Sequence, residues 1–122
     1  MHNMVESMEG KKICVIGGAG FLGSHLVDYL AEEKNCYVLV LDNLISGLKK
    51  HIHKKAEFGW FDIRSDEDEL VGILKSHEIQ YVFNYAAEPY IPESFERPKH
   101  FFQINAVAVL NVLNACQKAW VK

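Results

Sequence analysis

Gly17-Gly18-Ala19-Gly20-Phe21-Leu22-Gly23 decides the fold of this chain, because of the segments on either side of it. Before it runs Ile13-Cys14-Val15-Ile16, an apolar run short enough for a buried strand. After it, Phe21 to Glu33 places Leu22, Leu26, Tyr29 and Leu30 at helical spacing, which predicts a helix with those residues on its apolar side. A glycine cluster alone is weak evidence, since such clusters also make ordinary loops, but strand, glycine-rich turn, helix is the context of a dinucleotide site. Gly17 lets the chain leave the strand sharply. Gly20 has no Cβ, so backbone can come close to a pyrophosphate, and Gly23 lets the helix pack tightly on the strand. The first helical turn offers N–H groups and the positive end of its dipole to phosphate.

Cys36-Tyr37-Val38-Leu39-Val40-Leu41 reads as a second buried strand and ends in Asp42. That acid stands about 20 residues past the glycines, where a dinucleotide fold holds the ribose hydroxyls. A carboxylate there accepts from the 2′- and 3′-hydroxyls and repels a 2′-phosphate, which favours NAD over NADP. The alternative is an acid that only ends a strand. Lys49 and Lys50 read as residues of a solvated loop rather than as a phosphate clamp.

The 122 residues are 49% hydrophobic and 24% charged, enough apolar matter for one core. A net charge of −3 points to neither nucleic acid nor an anionic membrane. Residues 1–10 lack the basic start and apolar core of a signal peptide, no apolar run is long enough to span a bilayer, and the expected location is cytoplasmic. Cys14, Cys36 and Cys116 read as reduced, packed thiols. The six histidines show no metal-site spacing, and His51-Ile52-His53 is expected in a solvated loop.

The alternation continues. Glu57 to Asp62 reads as a third strand, with Phe58, Trp60 and Phe61 as its bulk. Ser65-Asp66-Glu67-Asp68 is a near capping box for a helix over Glu69 to His77 that buries Leu70, Ile73 and Leu74. Ile79 to Tyr85 is a fourth strand, 86–92 a loop, and a long helix starts near Pro98 and runs toward Trp120. The fold class is α/β, a Rossmann-type doubly wound parallel sheet, incomplete at about four strands. Residues 1–10 read as an N-terminal extension, and 11–122 as the N-terminal part of an NAD-binding Rossmann domain.

At this point the chain resembles the N-terminal part of an extended short-chain dehydrogenase/reductase, of the NAD-dependent epimerase/dehydratase family that acts on nucleotide sugars. The resemblance runs from Lys11 to Lys122. It rests on the glycine turn, Leu41-Asp42-Asn43, Phe61-Asp62-Ile63-Arg64, Val82-Phe83-Asn84-Tyr85-Ala86-Ala87, Pro92-Glu93-Ser94, Ile104-Asn105 and Leu110-Asn111-Val112-Leu113. It implies that Gly17, Gly18, Gly20, Phe21, Leu22 and Gly23 form the pyrophosphate turn, and that Asp42 and Asn43 bind the adenosine ribose. Asp62 and the backbone of Ile63 would meet the adenine edge. Ala86 and Ala87 would pass close beneath the cofactor, and Asn105 would brace the fourth strand. The plainer alternatives are a strand-ending Asp62, a surface Asn105 and alanines chosen for packing.

Some residues depart from the family pattern. Phe61 stands where many relatives have glycine, and Ala108-Val109 where they have Gly-Thr. Glu88-Pro89-Tyr90-Ile91 lacks the lysine usual in UDP-glucose 4-epimerases, which leaves a dehydratase or another sugar-nucleotide enzyme open. Glu88 is either a proton-transfer group or an exposed loop residue.

The family's chemistry moves a hydride from a sugar carbon to NAD while a tyrosine, helped by a lysine four positions on, takes the hydroxyl proton. None of the five tyrosines here has that lysine, so the resemblance assigns no catalytic residue. The chain is expected to hold the cofactor part of such an enzyme and not to turn over substrate alone. The alternative is a non-catalytic NAD(H)-binding or association module. A fourth strand left as an apolar edge, and the long helix, lead us to expect a homo-oligomer.

Overall fold

The four apolar runs become four strands of one sheet, held by helices that close both of its faces. The computed structural model describes residues 8–44, 48–62, 67–85 and 108–121. In chain order these are β1 (Lys12–Ile16), α1 (Phe21–Glu32), β2 (Tyr37–Asp42), a single 3-10 turn at Lys49–His51, β3 (Glu57–Trp60), α2 (Glu67–Ser76), β4 (Tyr81–Asn84) and α3 (Ala108–Lys118). All pairings are parallel, in the order β3-β2-β1-β4. Cys14 stands opposite Leu39 on one side and Val82 on the other.

Strand alternation then sorts the side chains. Ile13, Val15, Val38 and Val40 point to one face and meet Val27, Leu30 and Ala31 of α1. Cys14, Ile16, Leu39 and Leu41 point to the other and meet Leu70 and Leu74 of α2 with Val112 and Ala115 of α3. A sheet covered on both sides has no polar face, which is why β1 and β2 read as unbroken apolar runs. The connection through α2 carries the chain from the β3 edge past β2 and β1 to β4. Strand order therefore reverses between β1 and β4, and it is at the carboxyl ends of such a pair that doubly wound sheets bind ligands.

Several expectations change in detail. The buried stripe of α1 is Gly23, Val27, Leu30 and Ala31, whereas Leu22 and Tyr29 are exposed. The helix is turned so that its glycine, not a leucine, faces the turn before it. β3 stops at Trp60, and Phe61 lies past its end, buried on the α2 side. Trp60 is 62% exposed rather than core. Cys36 precedes β2 and donates through Sγ to Met8 O. His53 belongs to a tighter loop than expected: its Nδ1 accepts from Lys55 N–H and its Nε2 lies 2.8 Å from Glu32 Oε1. Ser65 and the helix start near Pro98 lie outside the described residues. Glu67, Asp68 and Glu69 do occupy the first turn of α2, where negative charge suits the helix dipole.

All three cysteines are free. Burial pushes the Cys14 thiol well above the ordinary range and raises that of Cys116, so neither is a ready nucleophile near neutral pH. Burial also raises the Tyr37 phenol, and the Glu57 carboxylate that accepts its hydrogen bond adds to the effect.

The backbone contacts of two helical glycines lead to opposite outcomes. A Cβ on Gly23 would collide with Gly17 O and crowd Gly18 Cα, both backbone atoms that cannot swing aside. Gly23→Ala should cost about 2–4 kcal/mol in urea denaturation. A Cβ on Gly72, within α2, would meet nothing within 4 Å. Gly72→Ala should stabilise by about 0.5–1 kcal/mol.

Candidate functional site

The site grows from the turn that follows β1. Gly17 sits at φ +81°, in the left-handed region that favours glycine. Its N–H donates to Leu41 O at 2.7 Å and its carbonyl accepts from Gly20 N–H at 3.2 Å, so the chain folds back at once. Gly18 is pressed into the sheet: a Cβ there would lie 2.9 Å from Val40 Cγ1. Gly23 is held against the turn's own backbone, a closer partner than the strand expected from sequence.

Gly20 differs from these. A Cβ on it would meet only Gly17 O, at an ordinary 3.5 Å. Its φ of −79° and ψ of 179° suit any residue. Among the described residues, packing gives no reason for glycine at this position. Gly20 is also the N-cap of α1, with no side-chain cap, and no acid lies in the first helical turn. The positive end of the helix is left for an anion. Phe21 and Leu22 flank it, 78% and 65% exposed.

Across the turn stands Asp42, only 8% exposed. Its Oδ2 accepts from Ala19 N–H at 3.0 Å and its Oδ1 from Leu44 N–H at 2.7 Å. The second bond closes a local turn of the kind aspartate favours, and it holds Leu44 at φ +62°, an unusual setting for a leucine. A carboxylate has about four acceptor positions. These two amides take one on each oxygen, which leaves acceptor capacity on the side away from the turn. Asp42 O also accepts from Phe61 N–H at 3.1 Å, which ties β2 to the segment leading to Asp62. At the other side of the turn, Tyr85 N–H donates to Ile16 O at 2.7 Å and brings the end of β4 beside the end of β1.

The structure thus places the glycine turn, Asp42, Asn43 and Asp62 along the carboxyl edge of the sheet. Ile63, Ala86, Ala87, Glu88 and Asn105 lie outside the described residues. Two participants escaped the reading of the sequence. The first is the Ala19 amide, a backbone group with no residue-type signal. The second is Trp60, whose Nε1–H donates to Asn43 O at 3.1 Å. Its parity with Phe58, which faces the α1 side, was the available clue.

A parallel sheet whose order reverses beside a glycine turn, a helix start and an acid at the end of the next strand defines a Rossmann-type nucleotide-binding fold. The sequence pattern of the NAD dependent epimerase/dehydratase family matches residues 13–122, and the chain belongs to that family. A UDP-glucose 4-epimerase of Lactobacillus helveticus is 40% identical over 111 residues, covering 91% of this chain and 33% of the relative. The crystal structure of a Thermotoga maritima UDP-glucose 4-epimerase with UDP-glucose superposes with a TM-score of 0.85 at 37% identity, over 91% of this chain and 35% of that one. A Thermus thermophilus UDP-glucose 4-epimerase in complex with NAD gives 0.83 at 33% identity, over 91% and 35%. The chain spans about a third of the length of most of the curated relatives it matches. Among the described residues no helix is long and apolar enough to cross a membrane.

Asp42 joins two segments, and its removal should register in stability before any ligand is added. Asp42→Ala leaves the amides of Ala19 and Leu44 without their acceptor. It should cost about 1–3 kcal/mol in urea denaturation.

Proposed function

We propose that this chain is the NAD-binding portion of a nucleotide-sugar epimerase. One observation carries the reading: the Cβ-free opening at Gly20 lies at an uncapped helix start, with the Asp42 carboxylate tied to the same turn. The backbone of residues 18–22 would hold the pyrophosphate, with the Phe21 and Leu22 amides at the helix start. Asp42 and Asn43 would accept from the adenosine ribose hydroxyls, and the negative charge of Asp42 disfavours a 2′-phosphate. Asp62 and Ile63 would meet the adenine edge. Ala86 and Ala87 would let the chain pass close beneath the cofactor, with Asn105 as a brace.

NAD supplies a hydride acceptor for a sugar carbon. The described residues bind and orient, and none is assigned to proton transfer. A tyrosine with a lysine four positions on does not occur in these 122 residues. We therefore expect the chain to bind cofactor without turning over a sugar nucleotide. The UDP-glucose 4-epimerases among its relatives support epimerisation over dehydration, and a UDP-sugar as the substrate class.

Calorimetry with NAD+ tests this. Micromolar-range binding is expected, with NADP+ weaker. Gly20→Ala should weaken NAD+ at least about tenfold with an unchanged melting temperature, because the new methyl occupies space the fold leaves open. No binding by a chain shown to be folded would overturn the reading.

Self-association is part of the same proposal. Leu110 and Leu113, three positions apart on α3, are 57% and 62% exposed, and adjacent exposed apolar side chains of this kind suit an interaction surface. Light scattering should give a dimer or larger species, and Leu110→Glu with Leu113→Glu should give a monomer. A monomeric parent chain would refute it.

A further inference from the structure

We propose that Trp60 is a positioning residue of the cofactor site: its indole forms the outer wall of the adenosine end, against which the purine packs. The inference rests on the cofactor reading above and adds a contact to it. Trp60 is the register partner of Asp42 on the neighbouring parallel strand, so the two side chains leave the same face of the sheet side by side. Its Nε1–H is anchored on Asn43 O at 3.1 Å, which swings the ring over the end of β2. Asp62 follows two residues later. Trp60 therefore stands among the three side chains proposed for ribose and adenine. Yet 62% of its surface is exposed, an unusual state for a tryptophan whose polar atom is already satisfied. An anchored ring with an open face is a stacking surface, and a purine supplies the matching π-face.

The chain has one other tryptophan, Trp120, at the far end of α3 and 86% exposed. Trp120→Phe therefore makes Trp60 the sole indole reporter. In that background, NAD+ and ADP should quench the emission at the concentrations where calorimetry shows binding, and nicotinamide mononucleotide should not. Trp60→Ala should weaken NAD+ and ADP about tenfold, and Trp60→Phe, which keeps a ring but loses the Asn43 bond, should stay within about twofold of the parent. Calorimetric binding with unchanged Trp60 emission, or equal affinity in Trp60→Ala, would overturn the wall while leaving the cofactor site standing. If Trp60→Ala fails to fold, the emission titration still decides. Absence of NAD+ binding in the folded parent would overturn both readings together.

Discussion

The Asp42 carboxylate is the interaction on which the site depends. It is almost fully buried, and its two oxygens receive amides from two separate segments, Ala19 of the glycine turn and Leu44 beyond β2. A charged acceptor bonded to two amides inside a fold is stronger than a neutral one. The carboxylate reinforces the backbone bonds that join the same segments, from Gly17 N–H to Leu41 O and from Leu48 N–H to Ala19 O. The acid therefore shapes the place it is proposed to serve.

Close packing of the turn imposes the second constraint. Gly18 and Gly23 are glycines because the protein's own atoms fill the space, Val40 and Val27 in one case and the backbone of Gly17 in the other. Among the described residues, Gly20 has no such neighbour. Three residues alike in sequence thus divide into two whose Cβ positions the fold fills and one whose Cβ position the described residues leave open, and only the surroundings of each Cβ separate them. The same division explains why α1 presents Gly23 rather than Leu22 to the core. Backbone-to-backbone contact at the helix start sets the rotation of the whole helix, and Leu22 and Tyr29 are carried outward.

Charge is arranged with little energetic weight elsewhere. Lys12 and Glu78 pair at 3.0 Å, and Lys118 pairs with Glu67 between α3 and α2. Such partly exposed pairs contribute at most about 1 kcal/mol each. The core instead rests on two apolar clusters, one per sheet face, which share the strands as a common wall. That arrangement leaves the carboxyl edge free to carry polar groups.

The sequence by itself determined the strand and helix order, the parallel sheet, the turn glycines and Asp42. These follow from chemistry that is local in the chain: apolar runs of strand length, glycine where backbone must turn, and an acid at a strand end. Only the tertiary structure decided which way α1 faces, that Asp42 is shared between two turns, and that Trp60 lies outside while Phe61 goes in. Each of these depends on a neighbour distant in sequence. Strand register sets Trp60 beside Asp42, and the end of β3 at Trp60 lets Phe61 cross to the α2 side. An aromatic pair such as Trp60-Phe61 carries the same hydrophobicity in either order. Parity with Phe58 tells which face each takes, but which face is covered at that point is a property of the neighbouring elements, and no single stretch of residues contains it.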